Sequence, residues 1–218
     1  GPQSFPVLKL NNKLDFALAR RDNRTGYGWS DVEFESGSDV TLLEDLSRRD
    51  FTCNSIAQDI LTSEIIDPFN GRVDIGLGYL NCINGHFSES CERGLRMFQQ
   101  VARFDLTPDG PTINEGRKLA DRFHLIPESQ VRQQWIKLFL KGVNFEKAFN
   151  ILLAINHAQF FPGLIELNST RQDSRHHPEG NVLRHTAQTL TAMAKICDLR
   201  GIHGDERLIR MAAMLVHD

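Results

Sequence analysis

The apolar pattern of this 218-residue chain changes period near residue 89, and that change constrains the fold more than any other feature. Up to about residue 82 the apolar residues come in short alternating runs. Phe5-Pro6-Val7-Leu8-Lys9-Leu10 and Leu14-Asp15-Phe16-Ala17-Leu18-Ala19 are joined by Asn11-Asn12, a turn dipeptide, and predict two strands. The polar, glycine-rich stretch from Arg21 to Ser38 reads as a mobile loop. A helix containing Asn54, Ile56 and Ala57 is expected after Arg48-Arg49-Asp50. Ile65-Ile66-Asp67-Pro68 predicts a strand ended by a turn at Asn70-Gly71. From Glu89 onward the spacing is helical: Leu95, Phe98, Ala102 and Phe104, with Val101 beside them, form an apolar stripe. Further helices are expected over 112–124, 128–141 and 145–156, with Pro127-Glu128 as a start signal and Gly142 as a stop. Pro162-Gly163 and the polar run from Asn168 to Arg175 make the best linker. Helices over 181–198 and 205–218 close the chain. Together these predict an α+β chain that is mostly α, divided at about residues 82 and 168.

Composition narrows the function classes. The hydrophobic fraction of 40% and charged fraction of 24% are those of a soluble globular protein. No apolar run approaches a membrane span, so no membrane partner is expected. Cys53, Cys82, Cys91 and Cys197 form no CxxC pair, which argues against a zinc ribbon or a disulfide framework and for a reducing cytoplasm. The net charge of −3 exerts no global pull on nucleic acid. Any RNA contact must therefore come from a local basic patch. Oligomeric state is not legible.

The strongest local signal is Asp45-Leu46-Ser47-Arg48-Arg49-Asp50-Phe51-Thr52-Cys53-Asn54-Ser55-Ile56-Ala57. Paired arginines at the mouth of a helix suit a triphosphate, because guanidinium groups are bidentate donors and a helix N-terminus adds partial positive charge. Taken alone, such a triplet is more often a solvated surface cluster. The run resembles the RRDFTxNA signature of class II tRNA nucleotidyltransferases, the family of CCA-adding enzymes and bacterial poly(A) polymerases. Ser55 stands where that signature has Ala. The resemblance implies that Arg48, Arg49, Asp50 and Asn54 hold the nucleotide.

Further pieces follow in the family's order from Phe5 to Asp218. Asp67-Pro68-Phe69-Asn70-Gly71-Arg72-Val73-Asp74 resembles the DPxxGxxD element that joins head to neck. Its simpler reading is a Pro/Gly turn fixed by an Asp side chain. Phe87-Ser88-Glu89-Ser90-Cys91-Glu92-Arg93-Gly94-Leu95-Arg96 resembles F-x-E-D-P-x-R-x-L-R, and Arg103-Phe104 the RF that follows. In the family the Asp and first Arg of that stretch form a template for the Watson–Crick edge of the incoming base. Here these positions are Ser90 and Arg93, and a hydroxyl lacks a carboxylate's two acceptors. Arg93 and Arg96 are expected to face the base and the RNA end. The stretch Pro127 to Lys137 resembles the ERxxxE neck motif, with Ser129, Gln130 and Gln134 in place of its charged residues. Trp135, Leu138 and Phe139 read as core positions of an amphipathic helix.

The family's catalytic carboxylates lie on a GGxVRD…DxD element, where they bind divalent metals that activate the 3′ hydroxyl. Residues 1–218 contain neither motif. Asp15 lines up with an acidic strand position and is the one expected catalytic residue present. The resemblance thus implies a remnant of a nucleotidyltransferase-type mixed-sheet head over 1–82, lacking its DxD strand. A helical neck and body over 83–168 would bind nucleotide and RNA. At the C-terminal end, His176-His177-Pro178-Glu179-Gly180-Asn181-Val182-Leu183-Arg184-His185-Thr186 resembles the HPEGDVxxHT opening of an HD domain, assigned to 169–218. His217-Asp218 resembles the HD doublet. His185, His217 and Asp218 are the implied ligands of a divalent transition metal. His86, His124, His157 and His203 have no partners at ligand spacing and read as structural or exposed.

The implied function is CCA addition to a tRNA acceptor end from CTP and ATP, with Mg2+ as cofactor in the intact protein. The alternative is a diverged, transferase-inactive RNA-binding relative with metal-dependent phosphohydrolase activity, such as 2′,3′-cyclic phosphodiesterase or phosphatase, at the HD site.

Overall fold

The computed structural model describes residues 7–11, 14–26, 28, 31–83 and 85–216. Among the described residues, strands are confined to the first 66 and form three antiparallel pairs rather than one mixed sheet. β1 (Leu8–Leu10) pairs with β2 (Leu14–Phe16), which puts Lys9 opposite Asp15 and matches the expected hairpin. Phe5 and Pro6 of that run, and Asn12 of its turn, lie outside the described residues.

The stretch read as a mobile loop is a second hairpin, β3 (Arg20–Arg24) with β4 (Val32–Ser36). Its alternation is between charges, so an apolar period does not reveal it. Arg21 stands opposite Glu35 and reaches Asp39 and Glu44 at 2.8 Å each, while the Arg20 guanidinium lies 4.2 Å from the Phe34 ring centroid. The Arg21 hydrogen bond, followed by those of Thr41, holds the Glu44 carboxyl at about 2.

The helix expected after Arg48-Arg49-Asp50 lies before them instead. α1 (Leu42–Ser47) starts at a capping box: Thr41 Oγ1 accepts from the Glu44 N–H, and the Glu44 carboxylate accepts from the Thr41 N–H. It ends at Arg48, so the paired arginines sit at a helix C-terminal end and gain nothing from an N-terminal dipole. Thr52–Asn54 is a single 3-10 turn, closed by the fully buried Ser55 hydroxyl donating to the carbonyls of Leu46 and Phe51. Beyond it, β5 (Ala57–Gln58) pairs with β6 (Ile65–Ile66).

Asn70-Gly71 is not a turn that ends a segment but the start of α2 (Gly71–Leu77). The Asp67 carboxylate accepts from the N–H groups of Gly71 and Arg72, at 2.7 and 2.9 Å, so an Asp side chain does fix this turn. Asp74, one turn into the helix, accepts from Thr52 Oγ1 and Asn81 Nδ2. Gly71 is required by proximity: a Cβ there would lie 2.3 Å from the Thr52 carbonyl oxygen.

The rest of the chain is helical. α3 (Arg93–Phe104) is the hub and packs on α5 (Glu128–Lys141) and α6 (Phe145–Ala154). α4 (Gly110–Lys118) and a 3-10 turn over Ala120–Leu125 cover one end. α8 (Val182–Leu199) packs on α6 and on α9 (Gly204–Leu215), which returns to α5. Leu95, Phe98, Val101 and Ala102 of α3 are buried with Leu138, Phe139, Phe145, Phe149, Leu152 and Leu190 in one core. Each such large side chain contributes about 1.5–3 kcal/mol on burial. Phe104 leaves the expected stripe: it is 49% exposed and turns with Arg103 toward the opposite face. Pro162-Gly163 opens α7 (Pro162–Ser169) rather than a linker, proline being suited to a first helical turn. No helix among the described residues is long and apolar enough to cross a membrane.

The two glycines of α2 should respond oppositely to a methyl group. Gly71→Ala forces the Thr52 backbone aside and should lower unfolding stability by about 1–3 kcal/mol. Gly76 has open space and should gain up to about 1 kcal/mol as alanine. Urea unfolding of both variants checks this, and equal shifts would show that the approach of α2 to Thr52 is not constraining.

Candidate functional site

Two helices and a hairpin enclose one large open cleft of about 1210 Å³. On α3, Arg93, Arg96, Gln100 and Arg103 recur at helical spacing and line it, with Gln99 beside them. On α5, Gln134, Lys137 and Lys141 do the same, while Trp135, Leu138 and Phe139 of that helix pack into the core. Arg20, Asp22 and Arg24 of β3 and the segment from Arg48 to Asn54 complete the walls.

Asp50 is the joint of this cleft. It is 5% exposed, and its Oδ1 accepts from the Phe51 N–H at 3.0 Å and from Asn54 Nδ2 at 2.8 Å. Its Oδ2 accepts both Nε and Nη2 of Arg96, at 2.7 and 2.6 Å. Arg48 and Arg49 share Asp45, at 2.6 and 3.3 Å, and Arg49 also donates to the Asn54 carbonyl at 2.8 Å. Burial pushes the Asp45 carboxyl up, but hydrogen bonds from Arg48, the Arg20 N–H and Arg49, with the Arg48 charge, hold it below the ordinary range.

Arg48, Arg49, Asp50, Asn54, Ser90, Arg93 and Arg96 all line this one cleft. Arg93 does so differently from expectation. Its side chain is buried, and its two terminal nitrogens donate to the carbonyls of His86 and Arg48. Burial lowers its pKa, and it ties two loops together rather than facing the opening. Asp15 is not brought to the cleft: it is exposed on β2, opposite Lys9.

The cleft is strongly basic. Nine arginine and lysine side chains line it against three carboxylates, in a chain whose net charge is −3. Arg103, Lys137 and Lys141 form no ion pair among the described residues. Burial, then the charge of Arg96, pulls the Lys137 pKa below the usual lysine range. An anion seated between these side chains would relieve that repulsion.

A second cluster lies at the start of α8. Nδ1 of His177 and Nδ1 of His185 both bond Glu179 Oε1, at 3.2 and 2.5 Å, with the two rings nearly perpendicular. Hydrogen bonding from its own backbone N–H, then from His185 and His177, holds the Glu179 carboxyl at about 2. Candidate ligand atoms of the three lie within 4.8 Å of one another, a donor set that fits a divalent transition metal. His185 was expected in such a set, whereas His177 and Glu179 were missed. Both stand in the HPEG run, but only the fold turns them onto one point. His217 and Asp218 lie outside the described residues. His157, read as structural, is fully buried against Phe123 and Phe160.

Residues 3–81 match the poly A polymerase head domain. Over 221 residues the chain is 33% identical to a multifunctional CCA protein of Nitrosococcus oceani, covering 99% of this chain and 52% of that one. A multifunctional CCA protein of Halorhodospira halophila is 32% identical over 99% of this chain and 51% of its own length. Among solved structures, the Bacillus stearothermophilus CCA-adding enzyme in complex with CTP superposes with a TM-score of 0.52, at 26% identity, over 63% of this chain and 32% of that one. A tRNA nucleotidyltransferase complexed with a primer tRNA and an incoming ATP analog gives 0.59, at 22% identity, over all of this chain and 59% of that one. Fold and sequence thus define a head of the poly A polymerase type followed by a helical body. By sequence the chain is similar to multifunctional CCA proteins, and its residues 3–81 match the poly A polymerase head domain. It spans about half the length of the curated relatives it matches.

The Asp50 joint is testable by stability alone. Asp50→Ala strands Arg96 and Asn54 and should cost about 1–3 kcal/mol. Combined with Arg96→Ala it should be less than additive in urea melts. Strict additivity would show that the pair does not hold the turn to α3.

Proposed function

We propose that this chain is the nucleotide-holding and RNA-facing portion of a tRNA nucleotidyltransferase of the CCA-adding type. The intact protein would extend a tRNA 3′ end from CTP and ATP. The observation that carries this reading is the basic cleft, in which the RRDFTxN-like segment meets unpaired cations of α3 and α5. Arg48 and Arg49 would meet the triphosphate, with Asn54 beside them for the sugar. Asp50 holds Asn54 and Arg96 in position. Arg103, Lys137 and Lys141 supply charge along a path suited to the RNA backbone.

Mg2+ is the cofactor this reading implies for transfer. Asp22 and Asp50 of the cleft are each held by an arginine, and Asp15 is exposed on β2 outside it, so these three form no carboxylate pair for two ions. No catalytic step is assigned to them. In the intact protein, addition of labelled CTP and ATP to tRNA lacking CCA tests the reading. Arg49→Ala should lower nucleotide affinity by about tenfold or more, the weight of one charge-assisted hydrogen bond. Unchanged affinity would remove Arg49 from the site.

The His177–Glu179–His185 cluster supports a second site in the same protein. We propose that it holds a divalent transition metal, with His217 and Asp218 as further ligands. Such an ion, when bound, supplies a water of lowered pKa for phosphate-ester hydrolysis. Glu179 orients both imidazoles. The chain should bind Co2+ with a visible absorbance, and Glu179→Gln should weaken binding by about 10–100-fold, the range for groups that orient ligands. Co2+ binding unaffected by His185→Ala would refute the site.

A further inference from the structure

The two ends of the cleft differ in chemistry. Arg93 and Arg96, near the start of α3, bond the Arg48 carbonyl and the Asp50 carboxylate, so the paired arginines belong to that end. Phe104 closes α3 eight residues after Arg96, about 12 Å further along the helix axis. Among the described residues two aromatic rings line the cleft, Phe34 and Phe104. Phe34 is half-buried with the Arg20 guanidinium over its ring, whereas Phe104 is 49% exposed.

Cations surround the exposed ring. The Arg103 guanidinium lies 4.6 Å from the Phe104 centroid. The Ala102 carbonyl accepts from the N–H groups of Val143 and Asn144, at 2.8 and 3.0 Å, which brings the end of α5, with Lys141, to the same end of α3. Burial, and then the charges of Arg96, Lys141 and Arg103, lower the Lys137 pKa, so these cations act on one another.

A ligand for this end must therefore carry negative charge together with a flat face that can cover the ring. Inorganic phosphate has the charge without the face, and a duplex keeps its bases stacked on each other. A nucleoside triphosphate anchored at Arg48 and Arg49 would bring only its uncharged sugar and base, leaving Arg103, Lys137 and Lys141 without an anion. An unpaired nucleotide within an RNA strand has both parts, with phosphates on either side of a base whose π-face stacks on aromatic side chains.

We propose that Phe104 is a stacking platform for an unpaired base of an RNA strand, and that Arg103, Lys137 and Lys141 hold the phosphates flanking that base. The inference rests on the RNA-facing reading of the cleft and deepens it, by naming single-stranded RNA as what the Phe104 end receives.

Fluorescence anisotropy of the whole chain with a labelled short single-stranded RNA, and with an abasic strand of the same length and charge, tests it. Phe104→Leu keeps an apolar side chain without the ring. It should weaken binding of the intact strand about tenfold and leave abasic binding unchanged, which also shows that the fold survives. Phe104→Trp should restore the loss. Lys141→Ala should weaken both strands and reduce the slope of log affinity against log salt by about 0.7, which Phe104→Leu should not alter. Equal losses on the two strands in Phe104→Leu, or none on either, would overturn the platform and leave the RNA reading standing. A loss of CTP and ATP affinity in place of RNA affinity would overturn it by giving the ring to the incoming nucleotide. Failure of the unaltered chain to bind either strand would overturn the RNA reading and this inference with it.

Discussion

A carboxylate with 5% of its surface exposed needs partners for both oxygens, and Asp50 finds them on two different elements. Its own turn supplies the Phe51 N–H and the Asn54 amide, while α3 supplies the Arg96 guanidinium. The turn is thereby fixed to the helix by a charged, directional contact as well as by apolar fit. Other groups follow from that fixed point. Arg49 bonds the Asn54 carbonyl, Arg93 of α3 bonds the Arg48 carbonyl, and Asp45 collects Arg48 and Arg49. The arginine segment and the helical body therefore form one wall of the cleft instead of two loosely facing surfaces.

The helical half was legible because its signals are apolar and local. Leu95, Phe98 and Ala102 are spaced for a helix that buries one face, and they do. Pro127 and Gly142 mark the ends of α5 for reasons of backbone geometry alone. The strand-rich half was less legible because its cues are charges and distant caps. The β3–β4 hairpin alternates arginine and aspartate against glutamate, and no apolar period betrays it. α2 begins at Gly71 because Asp67 reaches forward to cap it, where Asn70-Gly71 alone reads as a stop. α1 lies before the arginines because Thr41 and Glu44 cap it there.

The candidate site divides in the same way. The seven expected cleft residues are close in sequence to signature runs, and the fold gathers them. What sequence could not give was the state of each side chain. Arg93 reads as a free cation and is in fact buried on two carbonyls. Gln99 belongs to no signature, and its orphaned amide is visible only once α3 and α5 are packed together. Glu179 and His177 join His185 because a left-handed Gly180 and the Asn181 cap of α8 fold the run back on itself.

α3 makes stability and recognition inseparable in this molecule. One face carries Leu95, Phe98 and Val101 into the core, and the other carries Arg96, Gln100 and Arg103 to the cleft. A shift of the helix to relieve a core cavity would move Arg96 off Asp50 and so loosen the turn that holds Asn54. Conversely, Lys137 of α5, its pKa lowered first by burial and then by the charge of Arg96 on α3, places like-charge repulsion between the two helices. An anion in the cleft removes that repulsion, so ligand binding and tighter α3–α5 packing favour one another through a single helix. The unpaired cations thus cost stability in the free chain, and the same charge makes an anionic ligand stabilising.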